Sequence, residues 1–294
     1  MGKIKKGWEI DTLSKSDMNT FDMCGEKYRR QKLNGERTTG SWAMIRGLAT
    51  HKGIEVNSQV KIKTGHEEKL TVLTDVFMEE WKEKAKERKD MVKATGYDPD
   101  LIDAETKGKP APKEADLQAQ GLGYIKTFHE KAAPFLMPTG CEIPFTIPVD
   151  VNGKVLQVRG IIDWMGQEIT SWENHELGKG VSILDFKTTE DRPKKGAWKS
   201  FELIVYAAAM QSITGSLPDQ VGLMSIANMK TEQFVDLDAF RPTQVHVDRL
   251  NHRLGAIFKA IHAEAFHPAS LMQGAWWCDK RFCGFWDTCQ LRPE

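Results

Sequence analysis

A long β-hairpin is the feature that most constrains how this chain can fold. The segment CEIPFTIPVDVNGKVLQVRGIIDWM, which begins at Cys141, consists of two arms that are rich in β-branched and aromatic residues. The dipeptide between the arms, Asn152-Gly153, accepts the positive φ angles of a tight turn. We therefore predict two antiparallel strands around which a sheet is built.

Helical patterns come before the hairpin, and strands and helices alternate after it. Apolar spacing and capping residues predict helices at about 14–33, 41–59, 67–92 and 114–136, with an exposed loop over 95–112. After the hairpin we predict strands at about 181–187, 220–228 and 233–237, and helices at about 197–213 and 242–265. The predicted fold class is α/β in the wider sense that includes α+β, with a central sheet between helices.

Composition excludes several classes of protein. With 294 residues, 40% hydrophobic and 28% charged, the chain is neither disordered nor fibrous. Its 41 basic and 41 acidic side chains cancel, so any nucleic acid must be bound by local patches. The longest apolar run, 203–210, is too short to span a membrane. No apolar stretch follows the basic start, so we expect a cytoplasmic protein with no membrane partner.

Three acidic residues and a lysine fall on strands that could be neighbours. Asp185 and Lys187 are two positions apart in VSILDFK and so share one face, Asp163 closes RGIID, and Glu142 heads the other hairpin arm. Carboxylates about 4 Å apart repel by roughly 4 kcal/mol each at an effective dielectric of 20. Mg²⁺ or Mn²⁺ would offset that repulsion. The alternative is an exposed ion pair, which the apolar flanks of both strands disfavour.

The five cysteines indicate a second site. Without an export signal a disulfide framework is not expected, which leaves metal binding, catalysis or burial. Cys278, Cys283 and Cys289 are close together, and Cys24 could supply a fourth ligand from far away in the sequence. On spacing alone, Zn²⁺ is the expected ion for such a set. Cys141 is left over and is most simply a buried apolar residue.

The order of these motifs resembles that of the PD-(D/E)XK nucleases. RGLATHKGIE, the glutamate that opens the hairpin, RGIIDWM, ILDFKTT and FELIVYAAAM follow one another from Ser16 to Cys289. The chain is most similar to the RecB-like exonucleases, a branch that includes the iron-sulfur nucleases of CRISPR adaptation and the AddB nuclease domain. This resemblance implies one RecB-like domain with a restriction-endonuclease-like core. Its parts are a helical portion at 14–138, a sheet-bearing catalytic core at 139–240, and a C-terminal helix with a cysteine clasp at 241–294.

The resemblance also implies a metal centre. Asp163 and Asp185 would coordinate the metal, with His51 and the backbone carbonyl of Phe186 as further ligands. Lys187 would orient or polarise the attacking water. The reaction implied is the hydrolysis of phosphodiester bonds.

Other positions would lie near the metal or the nucleic acid. The resemblance gives Glu142 an acidic position near the metal and Tyr206 a part in holding nucleic acid. Glu202, on the same helical face as Tyr206, would also lie at the nucleic acid, and it stands where the family usually has Gln. Basic residues that could bind phosphates include Arg29, Arg30, Lys194, Lys195 and Lys199. Four tryptophans are candidates for stacking on bases, with core packing as the alternative: Trp42, Trp164, Trp172 and Trp198.

For the cysteines, the resemblance implies iron in place of zinc. The RecB-like iron-sulfur nucleases hold a structural [4Fe-4S] cluster on one distant and three clustered cysteines, here Cys24, Cys278, Cys283 and Cys289. We therefore expect a metal-dependent exonuclease acting on DNA ends or single strands, with recombination or adaptation proteins as further partners. The alternatives are a flap or structure-selective endonuclease on the same core, and a non-cleaving nucleic-acid-binding scaffold with a zinc clasp.

Overall fold

A computed structural model describes residues 6–169, 180–193, 195–229, 232–269 and 274–293. The strands are β1 (Thr12–Ser14), β2 (Leu136–Val151), β3 (Lys154–Ile169), β4 (Ser182–Thr189), β5 (Gln220–Asn228) and β6 (Gln233–Phe240). The α-helices are α1 (Lys15–Met23), α2 (Gly25–Tyr28), α3 (Trp42–Thr64), α4 (Leu70–Thr95), α5 (Pro99–Thr106), α6 (Glu114–Lys131), α7 (Phe201–Thr214) and α8 (Gln244–His262).

The strands form one mixed sheet in which β3 has neighbours on both sides. The β2–β3 hairpin is antiparallel along its length, and its turn residues Asn152 and Gly153 have φ angles of 56° and 81°. On its other side, β3 pairs first with β1, in parallel, and then with β4, antiparallel. Strands β4 and β5 are parallel and connected through α7, while β6 is antiparallel to β5. The predicted hairpin and the predicted fold class are therefore confirmed.

Helices cover both faces of this sheet. Apolar residues of α1, α7 and α8 pack on one face, and residues of α3 and α6 pack on the other. Along β4, Leu184 and Phe186 belong to the α3–α6 side, whereas Ile183 belongs to the α7–α8 side. Because side chains alternate along a strand, Asp185 and Lys187 point towards the side of α7.

Two predicted segments differ from the structure. The stretch predicted as a loop over 95–112 contains α5, which begins because Asp98 accepts hydrogen bonds from the backbone N–H groups of Asp100 and Leu101, with Pro99 at the first helical position. The helix predicted over 14–33 is interrupted at Cys24, whose backbone is extended with a φ of −165°. It continues as α2 and then as a π-helical turn, Arg29–Leu33.

No helix in the described ranges is long and apolar enough to cross a membrane.

Candidate active site

Asp163 of β3 and Asp185 of β4 lie opposite each other. The last paired residues of these strands are Trp164 and Leu184, and the next step of the antiparallel register joins the two aspartates. Asp185 is buried, with 1% of its surface exposed. Burial raises the pKa of Asp185, the charge of Lys187 lowers it, and the charge of Asp163 raises it, with a net increase. The two carboxylates are thus close enough for each to oppose the ionisation of its neighbour.

Lys187 joins Asp185 to helix α7. Its Nζ atom lies 2.8 Å from Asp185 Oδ2, as an ion pair without hydrogen-bond geometry, and donates a hydrogen bond of 3.1 Å to Glu202 Oε2. Burial opposes the charge of this ammonium, but the carboxylates of Asp185 and Glu202 outweigh burial and raise the pKa of Lys187. Lys187 therefore stays protonated at neutral pH.

Tyr206 and Lys15 complete the α7 side of the cluster. The Tyr206 hydroxyl donates a hydrogen bond of 2.8 Å to Asp163 Oδ1, and it accepts one from Lys15 Nζ. The Tyr206 side chain is fully buried; burial, and then the charge of Asp163, raise the pKa of its hydroxyl. Lys15 Nζ also lies 3.5 Å from Glu202 Oε1. Sequence reasoning missed Lys15, because the contact depends on the pairing of the three-residue strand β1 with β3.

His51 of α3 reaches the cluster from the opposite side of the sheet. Its Nε2 atom lies 2.7 Å from the carbonyl oxygen of Phe186, and its Nδ1 atom lies 3.7 Å from Asp163 Oδ2. One imidazole thus spans a carbonyl of β4 and a carboxylate of β3.

Two glutamates add negative charge beside Asp163. Glu142 occupies the hairpin position between the pairs Cys141–Trp164 and Ile143–Ile162, and its φ of 50° lies in the left-handed region. Burial, followed by the charges of Asp163 and Glu55, raises the pKa of Glu142 to about 7. Glu55 was not among the predicted site residues, although it lies one turn after His51 on α3, and this spacing could have identified it.

Comparison with known proteins decides the family. The model of the PD-(D/E)XK nuclease superfamily matches residues 12–290. The chain belongs to the PD-(D/E)XK nuclease superfamily. Membership implies a nuclease, a hydrolase whose substrate is nucleic acid and whose activity depends on a metal ion. A solved structure titled "Crystal structure of SSO0001" is 12% identical, with a TM-score of 0.43, and the match covers 97% of this chain and 88% of that chain. No curated protein matched.

PD-(D/E)XK nucleases generally use Mg²⁺ or Mn²⁺. The donors around Asp163 fit such a cation chemically, because carboxylate and carbonyl oxygens are its preferred ligands, and burial followed by the charges of Asp163 and Glu55 raises the pKa of Glu142. Within the described ranges, no three His, Cys, Asp or Glu side chains form a metal-binding group that is already assembled. The oxygens of Asp163 and Asp185 are instead directed at Tyr206, His51 and Lys187.

The basic residues predicted to bind DNA in this PD-(D/E)XK nuclease are mostly ion-paired. Arg29 contacts Glu26 at 2.7 Å, Arg30 donates to Glu36 at 2.8 Å, and Lys195 contacts Asp236 at 2.8 Å. Lys194 lies outside the described residues. The contacts of these four residues with nucleic acid remain predictions, as does the contact of the buried Tyr206.

The four cysteines of the predicted clasp line one cavity, where Arg30, Phe285 and Trp286 join them. All four are free thiols. Burial, and then the neighbouring thiols of Cys24, Cys283 and Cys289, raise the pKa of Cys278. Thiolates are the donors that both zinc ions and iron-sulfur clusters prefer, but within the described residues these four do not form an assembled metal-binding group. Cys141 is half-buried and separate, with its thiol 4.0 Å from the carbonyl oxygen of Glu55.

Proposed function

We propose that this PD-(D/E)XK nuclease is a metal-dependent DNA exonuclease that acts on DNA ends or single strands. The observation that carries the proposal is the arrangement of Asp163 and Asp185, which lie opposite each other on neighbouring strands with Lys187 Nζ 2.8 Å from Asp185. Burying the Asp185 carboxylate beside the partly buried carboxylate of Asp163 is costly to fold, and a purely structural role does not account for that cost.

The proposed metal ligands are Asp163, Asp185, the carbonyl of Phe186, and His51. When bound, Mg²⁺ or Mn²⁺ would polarise the phosphoryl oxygen and offset the negative charge of the site. The His51 imidazole lies beside two of the other proposed ligands, with Nε2 2.7 Å from the Phe186 carbonyl oxygen and Nδ1 3.7 Å from Asp163 Oδ2. Glu142 would contribute a further carboxylate at the edge of the ligand set.

Lys187 is proposed to stabilise charge that develops at the phosphate and to orient the attacking water. Glu202 holds the Lys187 ammonium from the α7 side. Tyr206 directs one oxygen of Asp163 through its hydroxyl. In this account Tyr206 and Glu202 act through other residues, so we propose them as positioning residues.

We further propose the RecB-like branch, with one domain over 1–294 and a structural [4Fe-4S] cluster on Cys24, Cys278, Cys283 and Cys289. The support is that all four cysteines line one cavity. Zn²⁺ is the alternative occupant. Metal analysis of protein purified without oxygen distinguishes them, because thiolate-bound iron absorbs broadly in visible light and zinc does not.

The test is digestion of labelled DNA by the wild type and by Lys187→Ala with Mg²⁺ or Mn²⁺. We expect wild-type activity and its loss in Lys187→Ala, while Lys84→Ala, which removes an ion-paired lysine on α4, keeps full activity. Equal activity in the wild type and Lys187→Ala would contradict the proposed site. Closed circles and linear strands labelled at either end separate the exonuclease from an endonuclease, because an exonuclease leaves closed circles intact.

A further inference from the structure

A groove of about 470 Å³ lies between α7 and α8, outside the carboxylate cluster. Its lining combines aromatic, apolar and cationic side chains and includes no acidic residue. The residues that matter here are Trp198, Lys199, Phe201, Ile204, Arg249 and Arg253.

Trp198 is an exposed aromatic platform at the edge of the groove. Of the tryptophans considered for base stacking, Trp42 and Trp164 are buried and Trp172 lies outside the described residues, whereas Trp198 is 60% exposed. It stands on a short 3₁₀ helix, Ala197–Lys199, that follows a fixed turn. The turn is held by Asp238, whose Oδ2 accepts hydrogen bonds from the backbone N–H groups of Gly196 and Ala197. The backbone that carries Trp198 is thus held in place before a ligand binds, so binding does not have to order it.

Positive charge surrounds this platform in a chain with no net charge. The Arg253 guanidinium lies 4.9 Å from the centre of the Phe201 ring and pairs with Asp22 at 2.6 Å. Lys199 and Arg249 have no carboxylate partner in the described part of the chain, and Lys199 Nζ lies 5.0 Å from the centre of the Trp198 ring. The groove therefore carries two cations whose charge no described carboxylate neutralises.

We propose that this groove binds a single strand of nucleic acid, with a base stacked on Trp198 and phosphates at Lys199 and Arg249. Aromatic platforms beside cations suit unpaired bases on a phosphate backbone, and a duplex keeps its base faces covered by their neighbours. The proposal rests on the nucleic-acid substrate of the proposed function. It makes the groove an anchoring site separate from the site of hydrolysis.

The groove and the catalytic cluster use different faces of α7. Phe201 and Ile204, three residues apart, face the groove, whereas Glu202 and Tyr206, four residues apart, face the cluster. A strand must cross about one helix diameter, 10–12 Å, to reach both sites. At about 3.4 Å per stacked nucleotide, this distance is roughly three nucleotides. The groove should therefore increase the affinity for long strands and leave the affinity for the shortest substrates unchanged.

The binding test uses fluorescence anisotropy of labelled oligothymidylate in EDTA, with Lys187→Ala as the background so that nothing is cut. We expect Trp198→Ala to weaken binding about tenfold and Trp198→Phe to keep most of the affinity. The matched control is Trp276→Ala, which removes a tryptophan that is 64% exposed on another surface. Blunt duplex should bind no more weakly to Trp198→Ala than to the background.

Salt dependence tests the charged half of the groove. Arg249→Gln should reduce the slope of log affinity against log salt by about 1, whereas Lys259→Gln, an exposed position further along α8, should leave the slope unchanged. Undiminished binding of the strand by Trp198→Ala would overturn the proposal. Heparin, a polyanion without bases, is the comparison ligand: if Trp198→Ala lost as much affinity for heparin as for the strand, base stacking on Trp198 would be contradicted.

Cleavage distinguishes this proposal from the proposed function. In otherwise wild-type protein, Trp198→Ala should raise the KM for long strands and leave that for the shortest cleavable strands unchanged. Binding through Trp198 without any cleavage by the wild type would contradict the nuclease and leave the groove standing. Cleavage that is unaffected by Trp198→Ala at every strand length would overturn the groove alone.

Discussion

The carboxylate of Glu202 is held between two lysines from distant parts of the chain. Lys15 Nζ lies 3.5 Å from Glu202 Oε1, and Lys187 Nζ lies 3.1 Å from Glu202 Oε2. The negative charge of Glu202 is matched by Lys15 as well as by Lys187. Lys15 also contacts the Tyr206 hydroxyl, so it helps to hold both side chains that α7 contributes to the cluster, Glu202 and Tyr206.

We expect Lys15→Met to lower kcat about tenfold on labelled DNA. The substitution leaves Glu202 with surplus negative charge, which draws Lys187 away from Asp185. In the Lys15→Met/Glu202→Gln double variant the surplus charge is gone, so most of the activity should return. A coupling free energy of about 1 kcal/mol between the two positions is expected from a double-mutant cycle.

The control for this cycle is Lys32→Met, which breaks the nearby ion pair with Asp17 but does not touch the cluster. It should change thermal stability slightly and leave kcat unchanged. Strictly additive effects of Lys15→Met and Glu202→Gln would show that the two residues do not act together.

Removing the Tyr206 hydroxyl should slow the reaction without leaving a cavity in the core. Tyr206→Phe keeps the ring that packs edge-on against Phe145 but loses the hydrogen bond to Asp163. Since a hydrogen bond to a charged group contributes about 1.5–3 kcal/mol, we expect kcat to fall at least about tenfold and the Mg²⁺ requirement to rise. Steady-state kinetics across a Mg²⁺ titration measure both effects.

Tyr124→Phe is a matched control for Tyr206→Phe. The Tyr124 hydroxyl is buried and has no hydrogen-bond partner in the described part of the chain, so its loss should leave kcat unchanged and should not lower the melting temperature. If Tyr206→Phe behaved like Tyr124→Phe, the hydroxyl of Tyr206 would have no part in positioning Asp163.

The cysteine clasp should be needed for the stability of the region that contains α1. Cys24→Ser removes one of four sulfur donors, and we expect loss of the bound metal and a melting temperature lower by at least about 5 °C. Iron, sulfide and zinc analysis together with circular dichroism check this expectation. Cys141→Ser, at the separate thiol, should keep the metal content of the wild type. Full metal content in Cys24→Ser would mean that the clasp does not use this cysteine.

The parts of the fold that the sequence predicts are those set by local pattern. Asn152-Gly153 between two β-rich segments is typical of a tight hairpin turn. Strand β5 was predicted at its observed bounds because polar residues mark both its ends. Helix α5 was missed because Gly, Pro and Lys around it suggested a loop. Its signal was the cap at Asp98, which is further held by an ion pair with Arg88.

The site shows where prediction from sequence stops. The aspartates and Lys187 were recognisable because charged residues stand in otherwise apolar strands. Lys15 was not, since its place depends on the pairing of β1 with β3 across more than a hundred residues of chain. Arg29 and Arg30 read as free cations in the sequence. Helical spacing could have indicated Glu26 as the partner of Arg29, three residues away, whereas the partner of Arg30, Glu36, is shown by three-dimensional contacts.

Helix α1 begins at Lys15, directly after strand β1, and ends beside Cys24. Residues near the C-terminal end of the described chain contact it there. The Trp277 indole donates to the carbonyl of Met23 at 2.9 Å, and Gly25 donates to the carbonyl of His267 at 2.7 Å. During synthesis on the ribosome, the surface that receives α1 is incomplete until residues beyond 260 have emerged. A nascent chain would therefore already contain every proposed metal ligand of the carboxylate cluster while the C-terminal end of α1 still lacked both of these contacts.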